Sequence, residues 1–148
     1  RTLSSEETKD LTQLESIWYE GDIGNDEHYN WTRYYALNLH SVFYRGTVEW
    51  RCFNSTLHAG RAAAYVNLCL AISAQAIAQR STVMRKTRSD NELFTFRVWL
   101  VRLGLNGDEF KHTRDHLLAN LEGDRAWRYD KDSYEVNRKK KKQREAER

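Results

Sequence analysis

The spacing of the apolar residues changes once, between residues 46 and 60, and that change constrains the chain more than any other feature. In Gly46-Thr47-Val48-Glu49-Trp50-Arg51-Cys52-Phe53-Asn54-Ser55-Thr56-Leu57-His58-Ala59-Gly60, Val48, Trp50 and Cys52 alternate with Glu49, Arg51 and, less cleanly, Phe53. A period of two reads as a half-buried strand with one charged face. Asn54, Ser55 and Thr56 then offer capping oxygens, and the spacing turns helical in an alanine-rich run from about Ala59 to Gln79. A glutamate and an arginine two apart on a strand point to the same side. There they can hold a cation and an anionic group next to one another, as phosphate chemistry needs. A surface salt-bridge ladder accounts for the same spacing.

Upstream, Leu37, Leu39 and Phe43 alternate with Asn38, His40 and Val42, which predicts a second strand over Tyr34 to Tyr44. Arg45-Gly46 supplies a tight turn between the two. Pairing Tyr44 with Thr47 sets Val42 against Glu49, His40 against Arg51 and Asn38 against Phe53. Asn38, His40, Glu49 and Arg51 then share one side of the hairpin. A three-residue loop would slip the register by one place and flip the faces of one strand relative to the other. A lone strand histidine such as His40 is more often a hydrogen-bonded structural residue than a ligand.

The flanking segments read as helices. Ser4-Ser5-Glu6-Glu7 opens an amphipathic stretch with Leu11, Leu14, Ile17 and Trp18 at helical spacing, and residues 20–32 are a polar, glycine-bearing loop. The alanine-rich helix carries few charges past Arg61, so most of its circumference is expected to be buried. Residues 80–90 form a basic connection, either a solvated loop or a lid touching phosphates. Ser89-Asp90-Asn91-Glu92 has the form of a capping box, with serine at the N-cap. It opens a helix through Phe96, Trp99, Leu100 and Leu103 that stops at Gly104. Asn106-Gly107-Asp108 turns into another helix with Phe110, Thr113, Leu117, Leu118 and Leu121 inward. Trp127 and Tyr129 would anchor the segment after that helix. From about Lys131 the residues are charged, and residues 128–148 are expected to be a basic tail, a frayed helix or disorder.

At 148 residues the chain has room for one domain, and 40% hydrophobic with 12% aromatic residues excludes global disorder. No charge-free apolar run is read as long enough to span a bilayer, and no secretory signal opens the sequence, so the cytoplasm is the expected location. Cys52 and Cys69 have no metal-ligand spacing. The net charge of +3 is exceeded by the run Arg138-Lys139-Lys140-Lys141-Lys142-Gln143-Arg144 alone, a solvated tail or a nucleic-acid contact. His112 and His116, four apart on a helix, could clamp a metal, although solvent-facing histidines are the commoner outcome. His58 precedes a helix whose free N–H groups suit phosphate, and capping alone explains the polar residues there. Glycine-rich phosphate loops, zinc cysteine pairs and a Gly-x-Ser-x-Gly nucleophile are all missing from the sequence.

Leu37-Asn38-Leu39-His40-Ser41 followed by the stretch from Gly46 to Gly60 resembles the amidoligase family of bacteria and their mobile elements, some of whose members are labelled virulence-related or phage-related. The segments from Ser89 to Gly104, Gly107 to Lys111 and Leu117 to Gly123 carry the same resemblance, which thus runs to about Trp127. That family is similar in turn to the carboxylate–amine ligases of the glutamine synthetase and glutamate–cysteine ligase superfamily. The resemblance implies an α+β fold: a small antiparallel sheet, the hairpin near 35–54, packed against several helices. It implies Glu49 as a Mg²⁺ ligand and Arg51 as a phosphate clamp, with Arg33 and Asn38 lining the same nucleotide pocket; His58 joins them as a candidate from its place before the helix. It also implies ATP and Mg²⁺ as cofactors, carboxylate and amine substrates of small-molecule or peptide size, and an amide formed through an acyl phosphate. Family members carry an earlier half with an acidic pair and a histidine-bearing strand that add metal ligands. Neither occurs here, so residues 1–127 are expected to be the C-terminal portion of such a protein, completed by an N-terminal half or a second copy. A nucleic-acid-binding accessory protein of a mobile element and a non-catalytic remnant are the alternatives.

Overall fold

The computed structural model describes residues 10–22, 27, 29–83, 85–129 and 131–146, and these form helices and a very small sheet. Two compact units divide the chain. The first comprises residues 1–56 and 73–85, the second residues 57–72 and 86–148.

The first unit opens with α1, Leu11–Trp18, whose N-cap Asp10 accepts a 2.8 Å hydrogen bond from Gln13 N–H. The predicted capping residues Ser4 to Glu7 lie outside the described residues. A 3-10 turn, Trp31–Tyr34, comes next, capped by Asn30. Then come β1 (Leu37–Asn38), α2 (His40–Arg45) and β2 (Glu49–Trp50). The two strands pair antiparallel with Leu37 opposite Trp50 and Asn38 opposite Glu49, and Arg51 N–H extends the ladder to Ala36 O at 2.8 Å. The architecture is thus α+β, helix-rich, with a two-stranded antiparallel sheet.

The predicted strand over Tyr34 to Tyr44 is corrected: only Leu37 and Asn38 are extended, and His40–Arg45 is helical. Asn38 Oδ1 accepts the backbone N–H of Ser41 at 3.3 Å, a local bond that competes with a ladder and starts a helical turn. Gly46 ends the turn in the left-handed conformation, φ +70°, which a residue without Cβ adopts at little cost. The connection is therefore a helix rather than a tight turn, and the register moves by four places from the predicted one. An even shift leaves faces unchanged, so Asn38 and Glu49 still share a side.

The second unit holds most of α3, Ala59–Ala78, whose predicted limits match, together with α4 (Glu92–Arg102), α5 (Lys111–Leu118) and α6 (Lys131–Ala146). The capping box is corrected in its first residue: Asn91, not Ser89, is the N-cap of α4. Its Oδ1 accepts from Phe94 N–H at 3.0 Å, while its Nδ2 donates to Asp124 O and Trp127 O. One buried amide therefore caps α4 and fastens the segment after α5. Leu103 and Gly104, φ +91°, close α4 where expected. Asn67 Nδ2 donates to Thr113 Oγ1 at 2.9 Å, tying α3 to α5. Residues 131–146 of the expected tail are helical.

Two further expectations about α3 are corrected. Ala64 and Leu68 are its only buried residues, one stripe four apart, while Val66, Leu70 and Ile77 are 56%, 63% and 88% exposed. By length and composition α3 is also long and apolar enough to cross a membrane, contrary to the reading that no such run exists. The core helix of a globular protein passes the same test.

Candidate functional site

Glu49 lies at the centre of a polar constellation in the first unit. Its Oε2 accepts from Asn38 Nδ2 at 2.6 Å, its strand partner, and lies 3.5 Å from Ser41 Oγ. Its Oε1 accepts from Arg51 Nη1 at 3.0 Å. Asn38 is 2% exposed and also donates to Ser41 Oγ at 2.9 Å, so its amide is fixed on both sides. The Glu49 and Arg51 side chains are 46% and 32% exposed, an ion pair open to solvent rather than sealed in the interior. The Asn38 hydrogen bond, then the Arg51 and Arg33 charges, hold the Glu49 carboxyl below its ordinary value against the opposing effect of desolvation. Glu49 is therefore ionised at neutral pH.

The cations are held by aromatic rings. The Arg51 guanidinium carbon lies 5.5 Å from the centre of the Tyr34 ring, and that of Arg33 lies 5.7 Å from the same ring and 5.7 Å from Tyr29. A cavity of about 460 Å³ opens beside them, lined by Arg33, Asn38, Ser41, Arg45 and Glu49 among others. This is within the size range of small-molecule sites.

His40 also lines that cavity, but it is not the strand residue of the expected face. It begins α2, is 3% exposed, and its Nδ1 is hydrogen bonded to the Tyr19 hydroxyl. Its ring stacks on Tyr44 at 6.4 Å, and Nε2, buried, has no hydrogen-bond partner among the described residues. The hydrogen bond to Tyr19 is of the kind a structural histidine makes.

Of the sequence-predicted residues, Glu49, Arg51, Asn38 and Arg33 come together in the first unit. His58 belongs to the second unit, where its Nδ1 accepts from Arg61 N–H at 3.3 Å and its ring packs against His116, centroids 4.9 Å apart. Tyr34, Ser41 and Tyr19 escape the sequence reading. Ser41 stands on the opposite face in the predicted register, and only the helical turn after Asn38 brings its hydroxyl to Glu49. Nothing in the spacing joins Tyr19 to His40, 21 positions apart.

Among the described residues no group of three or more His, Cys, Asp or Glu side chains gathers to hold a metal. The donor set fits Mg²⁺ in one mode only, a single carboxylate with phosphate oxygens and water completing the shell. It does not fit a cage made wholly of protein ligands.

Residues 1–73 match the family model described as "Putative amidoligase enzyme". The matched segment contains every residue of the constellation around Glu49, and the resemblance drawn for residues 89–123 lies outside it. No curated protein and no solved structure matches the chain.

Proposed function

We propose that the Asn38–Glu49–Arg51 constellation is the nucleotide-handling part of an ATP-dependent carboxylate–amine ligase, set on the late catalytic strand of a glutamine synthetase-like sheet. One observation carries this reading: inside the amidoligase segment, an ionised carboxylate has one oxygen on a buried amide and the other on a solvent-open arginine. An ordinary surface ion pair needs no buried asparagine behind it.

The reaction transfers the γ-phosphoryl group of ATP to a carboxylate oxygen, breaking the bond to ADP and forming an acyl phosphate. The amine nitrogen then attacks the carbonyl carbon and loses a proton, and phosphate leaves. Arg51 and Arg33, on the Tyr34 ring, are placed to neutralise charge on the transferring phosphoryl group. Asn38 keeps the Glu49 carboxylate from rotating when Arg51 leaves it for phosphate. Glu49 would hold Mg²⁺, which supplies charge neutralisation at the β- and γ-phosphates. The carboxylate and amine substrates are small molecules or peptide groups, and a second half or second copy would add the ligands this constellation does not have.

Calorimetric titration of ATP with Mg²⁺ tests the reading. Saturable binding is expected, abolished by Glu49→Gln and by Arg51→Ala. Binding unchanged in both variants would overturn it. If the chain binds nothing, the same titration on a longer form that includes residues upstream of Arg1 decides. Failure there as well ends the proposal.

A further inference from the structure

The second unit carries a separate cavity of about 1000 Å³ along α4 and α5 that the ligase chemistry does not use. Arg88, Arg102 and Arg128 line it against one carboxylate, Glu92. All three arginines are exposed, and none makes an ion pair with a described carboxylate. Phe96 and Trp99, half-buried on successive turns of α4, face the same cavity, and their rings stack with centroids 5.6 Å apart and planes 26° apart. Guanidinium groups without described carboxylate partners around an aromatic stack match a ligand with phosphates and planar rings. The volume is at the top of the range for a single small ligand, which leaves room for more than one nucleotide.

We propose that this groove binds single-stranded nucleic acid, with bases stacking on Phe96–Trp99 and phosphates meeting Arg88, Arg102 and Arg128. Stacking platforms flanked by cations serve unpaired bases, whose faces are free, whereas a duplex offers only its backbone and groove edges. The helix α6 in the same unit adds the exposed run from Arg138 to Arg144, an electrostatic supplement without rings of its own. The inference is independent of the ligase proposal, since its residues and those around Glu49 lie in different units.

Fluorescence anisotropy of labelled 12-nucleotide oligothymidylate, with the full chain, is the test. Binding is expected to be at least about tenfold tighter than to a duplex of equal length. Trp99→Ala and Arg102→Gln should each weaken it about tenfold, and Arg102→Gln should also lower the salt slope by about 0.7. Glu49→Gln, in the other unit, should leave oligonucleotide affinity as it is. Arg102 is exposed, so its variant carries the test should Trp99→Ala fail to fold by circular dichroism. Three results would each overturn the proposal. One is equal affinity for duplex. Another is competition by thymidine monophosphate as strong, mole for mole, as by the oligonucleotide. The third is binding abolished by changing Lys139 to Lys142 to glutamine while Trp99→Ala and Arg102→Gln leave it intact, which would place binding on the tail alone.

Discussion

The two units bury different chemistry. Among the described residues the first encloses Tyr19 with Asn30, Thr32, Asn38 and His40, whereas the second encloses Ala64, Leu68, Leu93, Leu100, Leu105 and Leu118 with Asn91 and Thr113. In the first, almost every buried polar atom has an assigned place. Asn30 Oδ1 accepts from Thr32 N–H and Oγ–H, and Thr32 Oγ1 accepts from Trp18 Nε1–H at 3.0 Å. Ser41 and Glu49 hold Asn38, and Tyr19 holds His40. Such an interior is expensive when half-satisfied and holds its members in one geometry when complete. An aliphatic interior supplies non-directional burial and tolerates adjustment. The comparison assigns geometry to the first unit and stability to the second, and that division can be broken by substitution.

The largest effect is expected at Leu100, fully buried on α4. Leu100→Ala should cost about 2–5 kcal/mol through lost burial and the cavity left behind. The urea midpoint measures it, and a loss below about 1 kcal/mol would show that the aliphatic cluster is not where stability resides. Next comes the Tyr19–His40 pair. Tyr19→Phe strands His40 Nδ1 beside an Nε2 already without a described partner, and should cost about 1–3 kcal/mol. Replacing both, Tyr19→Phe with His40→Leu, should cost less than the sum of the singles, because no buried nitrogen is left unpaired. Additive costs would mean that the hydrogen bond contributes nothing.

A comparable effect in the second unit comes from space rather than polarity. A Cβ on Gly60 would lie 2.5 Å from His116 Nε2 and 3.0 Å from His58 Cε1. Gly60→Ala should cost about 1–3 kcal/mol by overpacking, and His116→Ala in the same chain should relieve part of that cost. A helix-stabilising effect of Gly60→Ala alone would show that the imidazole swings aside freely.

How much of this is legible in the sequence depends on whether a local pattern or a distant partner decides it. The limits of α3 and the stop at Gly104 come from local spacing and glycine geometry, and both are readable. Glu49 and Arg51 fall on one side because a strand's period is two, whatever its length. The segment His40–Arg45 misleads because Leu39 and Phe43 satisfy a period of two and of four alike, and a single Asn38–Ser41 bond decides between them. The capping oxygen at α4 belongs to Asn91 because its amide also reaches Asp124 and Trp127, a tertiary partnership that no four-residue motif encodes. Ser41, Tyr34 and Tyr19 reach the site through the fold, and their neighbours in sequence carry no sign of it.

The smallest expected effect bears most directly on the site. The Asn38 hydrogen bond is the first cause holding the Glu49 carboxyl below its ordinary value of 4.5, with Arg51 and Arg33 adding to it and desolvation opposing. A folded-state value lower than the unfolded one means that the group stabilises the fold above about pH 4.5, and that this contribution is lost as the pH falls through the lowered value. The side chain is 46% exposed, so solvent screens the interaction and the change in stability is small. Carboxyl carbon resonances followed by NMR are therefore the better measurement. Asn38→Ala and Arg51→Ala should each raise the Glu49 midpoint, because the amide bond leads the causes and the guanidinium adds both charge and a hydrogen bond. A midpoint that moves in Arg51→Ala but not in Asn38→Ala would make the pair an ordinary surface salt bridge with a bystander asparagine, and the first unit's buried polar network would lose its claim on the site.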